Sequence, residues 1–197
     1  MKEKNFDKYF AISILISLNL QFLLLPLLVI LYPPSMHDGH PVYAPESMVL
    51  NNLGLAFTMI GSTLLGIKLA DDKRVLAASG FTAYAISCGV VMASSFEIMN
   101  PLSEEGWEKA YYITTSANFI YLPAMLLIAA NDEFRKWVRW VGVVSAIPYD
   151  VSAILFMSGG RNYAAYEIIN TVGYLMMLVA QMMWSINVWR NYREKLK

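Results

Sequence analysis

Asp150 is the residue in this chain whose position most demands an explanation. It lies well inside the apolar run 141–157, which is long enough to form a membrane helix. Insertion scales put an aspartate near the bilayer centre at roughly 2.5–3.5 kcal/mol, so a partner, a cavity or a function must compensate for it. A carboxylate so placed can hold a cation, a proton or an amine, or serve as a general acid or base. Pro148, two residues earlier, removes the hydrogen bond to the carbonyl of Val144 and can tilt the helix end that carries the acid. The positions on Asp150's own face include Ala146 and Ala153, small enough for another helix to approach, so the sequence predicts an inward-pointing carboxylate. Asn118, Asn170, Tyr112, Tyr121, Tyr149 and Tyr174 fall at a similar depth. Glu167 stands nearby, and Arg161, just past the preceding turn, could reach down to either acid. Together these residues form the candidate ligand-binding set.

A second constellation lies between the first two apolar runs. His37 and His40, the two histidines of the chain, stand three apart beside Met36 and Asp38. That spacing could bind zinc or copper, but a structural site normally needs four ligands and no cysteine is near. A solvated polar loop is the simpler expectation. The lone cysteine, Cys88, sits within an apolar run and has no second cysteine to pair with. No histidine lies in an apolar run to ligate haem and no lysine lies mid-run for a retinal Schiff base, so no cofactor is expected.

The elements that must position these residues are apolar segments. With 57% hydrophobic and 15% charged residues and a mean hydropathy of +0.44, the chain falls in the membrane class, since soluble domains carry about 25% charged residues. Six segments are long enough to cross a core about 30 Å thick, near 9–32, 48–69, 74–98, 107–130, 135–157 and 163–189. Short connections make consecutive helices antiparallel neighbours. The expected fold is an all-α polytopic bundle of six transmembrane helices, a single domain over 1–197, with no linker or charge block to divide it. The first run continues too far to be a cleavable signal and reads as the first transmembrane helix. Net charge is zero and the basic residues are scattered, so nucleic acid is not an expected partner.

Thirteen of the 15 Lys and Arg residues fall on one side: near the chain start, the 2–3 and 4–5 turns, and the chain end. Lys109 and Arg161 fall on the other. The positive-inside rule therefore places both termini in the cytoplasm. Trp107 is expected at the outer boundary, and Trp137, Trp140 and Trp189 at the inner one. The absence of any Asn-x-Ser/Thr sequon leans toward a prokaryotic plasma membrane.

Several helices carry polar stripes that should face protein or water. Ser13, Ser17 and Gln21 share one face of the first helix, whose outer half Pro26 should bend. Tyr111, Thr114, Thr115, Asn118 and Tyr121 share one face of the fourth, and Asn170, Tyr174, Met177, Gln181 and Trp184 run along the sixth. Gly54, Thr58, Ser62 and Gly66 in the second helix stand four apart, a small-residue face for close packing within the bundle, in a homo-oligomer or against a partner subunit. The second and sixth helices also echo each other, Asn51-x-x-Gly54 against Asn170-x-x-Gly173, with Asn118 at a comparable depth in the fourth. Such echoes accompany the repeats of some transporter folds.

Three functional readings follow. The first is binding or transport of a small ligand, cation or proton in an acidic, polar pocket centred on Asp150. The second is an accessory subunit of a larger membrane complex. The third is carboxylate-dependent chemistry on a lipid or quinone. Architecture alone decides among none of them.

Overall fold

The computed structural model describes residues 5–37, 40–99, 104–158 and 163–194. Six helices long and apolar enough to span a membrane account for nearly all of it. They are α1 (Phe6–Leu31), α2 (Pro45–Asp71), α3 (Val75–Met99), α4 (Glu104–Ala129), α5 (Lys136–Ser158) and α6 (Tyr163–Glu194). This is an all-α multi-pass membrane bundle, with helix ends within a few residues of those expected. Both described chain ends lie at one end of it, here called basal; the opposite end is distal.

Each helix packs against its neighbours in the chain, and α1 against α6 closes the ring. Six helices in a ring leave a space along the axis, and what fills that space differs with depth. In the basal half it is filled by large rings. Phe81 stands edge-on to Phe10, Phe134 and Trp184, with centroids 6.1, 6.2 and 5.7 Å away. Rings at such distances gain about 0.5–1.5 kcal/mol per pair beyond their area burial. The Trp184 indole N–H donates to the carbonyl of Val138 at 3.4 Å, so the polar edge of this buried ring is also satisfied.

Small residues let the helices close around these rings. A Cβ on Gly80 of α3 would stand 2.7 Å from the Ala124 carbonyl oxygen and 2.7 Å from the Ile128 nitrogen of α4, so only glycine fits that crossing. The Gly54/Thr58/Ser62/Gly66 face of α2 is buried within the bundle, with Thr58 and Ser62 0% and 1% exposed. Gly54 receives Gln21 of α1, Thr58 bonds Ser17 at 2.7 Å, and Gly66 meets Ala78 and Phe81 of α3. Of the packing roles expected for this face, packing within the bundle is the one the described residues display.

The basal end is clamped by charge. Lys68 Nζ lies 3.0 Å from Asp7 Oδ1 and 2.8 Å from Glu133 Oε2, with the Lys68 and Asp7 side chains 8% and 5% exposed. Arg74 holds Glu133 at 2.9 Å and Asp132 at 3.2 Å. The cluster ties α1, α2, the turn after α2 and the turn after α4 together. That α2–α3 turn is tight: Lys73 adopts φ 62°, and Arg74 N–H donates to the Leu69 carbonyl at 2.8 Å.

The distal half is built differently. Pro26 offers no N–H to the carbonyl of Phe22 and its ring crowds that carbonyl, and α1 adapts by widening into a π-helix over Asn19–Leu24. From there outward α1 stays beside α2 but draws away from α6. The segment expected to be a solvated polar loop forms a small hairpin, Ser35–His37 paired antiparallel with His40–Val42. Trp107, expected in an interfacial belt, is 3% exposed and packs on Tyr111 at 4.3 Å. Its ring belongs to a distal cluster with Phe156 and Tyr166, whereas Trp137 and Trp140 are exposed on the basal side.

Candidate functional site

Where the aromatic filling stops, the ring encloses a chamber of about 90 Å³. Its floor is a chain of neutral hydrogen bonds. Gln21 Nε2 donates to Ser17 Oγ at 3.0 Å, and Thr58 Oγ1 donates to Gln181 Oε1 at 3.5 Å. Gln181 Nε2 in turn donates to the Tyr84 hydroxyl, and the Tyr174 hydroxyl donates to Gln21 Oε1 at 3.0 Å. The π turn of α1 helps here, because it carries Gln21 against Gly54, where any Cβ would fall within 2.4 Å of the glutamine. Widened turns of this kind recur at functional sites.

The walls come from the polar stripes of α4 and α6 and from one face of α5. Tyr121 and Tyr149 stack with centroids 4.5 Å apart, and Tyr149 packs over Gly173 of α6. Asn118, 1% exposed, uses its amide N–H groups on Asn170 Oδ1 at 2.8 Å, the Tyr166 hydroxyl at 3.3 Å and Ser152 Oγ at 3.4 Å. Its own Oδ1 is buried and accepts nothing from any described residue. Several other buried polar atoms also lack a partner, but Asn118 Oδ1 is the one on this wall. A buried amide oxygen without a donor costs about 1–3 kcal/mol.

The asparagine echo now has a structural meaning. Asn51 of α2, Asn118 of α4 and Asn170 of α6 all line the chamber, one from the second helix of each successive hairpin. Gly54 and Gly173, three residues after two of them, each admit a large side chain from the first helix of the same hairpin, Gln21 and Tyr149.

Of the residues singled out from sequence, Asn118, Asn170, Tyr121, Tyr149 and Tyr174 are brought together here. Asp150 is not among the residues lining the chamber. Pro148 contributes to the packing against Gly173 of α6, and Asp150, two residues on and so roughly 200° around the helix, occupies the other flank of α5. It is half-buried there, and its Oδ2 has no partner among the described residues. The small neighbours Ala146 and Ala153 are fully buried, as their spacing suggested, but the aspartate sits at the margin of their face. Tyr112 also stays out, 38% exposed beside Phe156. Arg161 and the Glu167 side chain lie outside the described residues. The backbones of His37 and His40 face each other across the hairpin; their side chains and Asp38 lie outside the described set. Among the described residues, no three His, Cys, Asp or Glu side chains gather as metal ligands.

Gln21, Asn51, Tyr84, Thr114, Gln181 and Cys88 also line the chamber, with Leu55, Val91, Met177 and Leu178 as the apolar remainder, and none of these was in the candidate set. The stripes on α1, α4 and α6 and the recurring asparagines were the signals for Gln21, Thr114, Gln181 and Asn51; each alone reads as ordinary interhelical bonding, and no stripe or echo pointed to Cys88. The finished lining mixes amide, hydroxyl and aromatic groups with aliphatic and sulfur side chains, and holds no Asp, Glu, Lys, Arg or His. Such a surface recognises hydrogen-bonding groups and ring faces, not net charge.

No protein family, no curated protein and no solved structure matches the chain.

Proposed function

We propose that this membrane protein binds a small neutral ligand in the distal chamber, as a receptor, carrier or transporter of that ligand. The observation that carries the reading is Asn118 Oδ1, an acceptor held inside the membrane bundle on the wall of a cavity with no protein donor among the described residues. A ligand O–H or N–H supplies that donor, and the stacked pair Tyr121–Tyr149 supplies an apolar wall. The lining holds no carboxylate among its described residues, which favours binding over acid–base turnover. The charge asymmetry of the loops supports a chamber facing away from the cytoplasm.

Native mass spectrometry of the protein released from nanodiscs tests this. The wild type and Asp150→Asn should retain a bound small species that Asn118→Leu lacks. Absence of any Asn118-dependent species removes the reading.

One observation favours a second reading, an accessory subunit beside a membrane partner. The Asp150 carboxylate, on the flank of α5 away from the chamber, lacks a described partner, and a Lys or Arg from a neighbouring subunit's helix would neutralise it. Asp150→Asn should then lower the mass of the complex on native gels of the source membranes while leaving the monomer's melting temperature unchanged.

A further inference from the structure

The chamber is not closed on its distal side. A cleft of about 460 Å³, within the range of small-molecule sites, runs on from it, and Gln21, Asn51, Asn170 and Tyr174 line both spaces. The cleft continues along the distal half of α1, past Leu25, Pro26 and Val29, and reaches Thr171 on α6. None of the residues of α1 from Leu25 to Leu31 is buried, and Thr171 is exposed. This is where α1 draws away from α6, so the cleft meets the lipid-facing side of the bundle at membrane depth. Its described lining, like that of the chamber, carries no Asp, Glu, Lys, Arg or His.

We infer that the ligand is a neutral single-chain amphipath that enters sideways from the bilayer between α1 and α6. Its hydroxyl or amide head sits in the chamber and its chain lies in the cleft. This rests on the binding reading above and narrows it. The closed end gathers amide and hydroxyl groups among apolar side chains and offers an acceptor that needs a donor, so a head with an O–H or N–H fits there. The open end is flanked by leucine, proline and valine at the depth of acyl chains, so an apolar tail fits there without leaving the lipid. A charged head is disfavoured, because nothing in the described lining would offset its desolvation. A water-soluble ligand has no use for a mouth that opens on lipid.

The test uses the full chain in phosphatidylcholine nanodiscs with a monoacylglycerol carrying a diazirine in its chain. After illumination, adducts are mapped by peptide mass spectrometry. They should concentrate on Leu25, Val29 and Thr171, compete with unlabelled monooleoylglycerol and resist oleate, which has the same chain but a charged head. Asn118→Leu should reduce these adducts roughly fivefold, the expected loss for one hydrogen bond. Val29→Trp, which fills the mouth at a half-buried position, should do the same with an unchanged melting temperature. Adducts spread evenly over lipid-facing residues such as Ile147 and Ile154, and indifferent to Asn118→Leu, overturn the inference. If native mass spectrometry still shows an Asn118-dependent species in that case, the chamber stands as a binding site and only the lipid class and the side entry fall. If neither experiment depends on Asn118, both readings fall together.

Discussion

The two halves of this bundle use the same six helices to opposite ends. In the basal half the axis is filled by Phe81, Phe134 and Trp184, and Lys68 satisfies two carboxylates from distant parts of the chain. In the distal half the axis is left open, one helix is widened into a π turn, and an amide oxygen is buried without a described donor. Close packing stabilises a fold; an unfilled space with an orphaned acceptor on its wall reduces stability and is the usual signature of a site kept ready for something else. The difference marks the basal half as the frame and the distal half as the working end.

Mutations should separate the halves. The largest effect is expected for Lys68→Met, which removes the cation that Asp7 and Glu133 share. Removing one member of a buried ionic cluster costs about 3 kcal/mol, read as a large fall in melting temperature in detergent. A drop no bigger than that of an exposed-site control would show that the clamp is ornamental and weaken the contrast between the halves. Next comes Gly80→Ala, whose methyl would meet the backbone of α4 at 2.7 Å. Backbone cannot swing aside as a side chain can, so about 2 kcal/mol is expected, measured by the same assay. Asn118→Leu should cost less than about 1 kcal/mol, because the loss of its three donated bonds is offset by removing the unsatisfied oxygen. A strongly destabilised Asn118→Leu would make the distal polar wall structural and blur the comparison. The smallest effect is Lys73→Gly. A residue with a Cβ at φ 62° carries strain of about 1 kcal/mol, partly cancelled by the greater freedom of glycine in the unfolded chain. A slight rise in melting temperature is the expected sign.

Much of the frame is legible in the sequence because apolar length is a strong signal in membrane proteins. Six runs of spanning length give six helices, and the stripes on α1, α4 and α6 turn inward as polar groups must. The site is only half legible, for reasons of angle and distance. A carboxylate attracts attention by its cost, yet the step from Tyr149 to Asp150 is roughly 100° of helix rotation, enough to move from the axis to the flank of α5. The clamp is hidden because Asp7 and Lys68 come from different helices, and Lys68 reads in sequence only as a charge that sets orientation. Trp107 misleads similarly: a tryptophan near a helix end matches an interfacial anchor, but here neighbouring rings bury it. The three asparagines are visible in the sequence, and their convergence on one chamber is not, because it depends on the order in which the helices close the ring.

That ring order also governs how the molecule is assembled. Among the described residues, every closely packed helix pair but one joins helices that follow each other in the chain, so each can form as its two segments leave the translocation machinery. The seam between α1 and α6 has to wait for the last segment. Until then the hydroxyl and amide groups of α1 and α2, among them Gln21 and Thr58, lack Tyr174 and Gln181 and border lipid. Biogenesis therefore ends with the least protected edge, and a shortened chain lacking α6 would present that polar edge to whatever surveys unfinished membrane proteins.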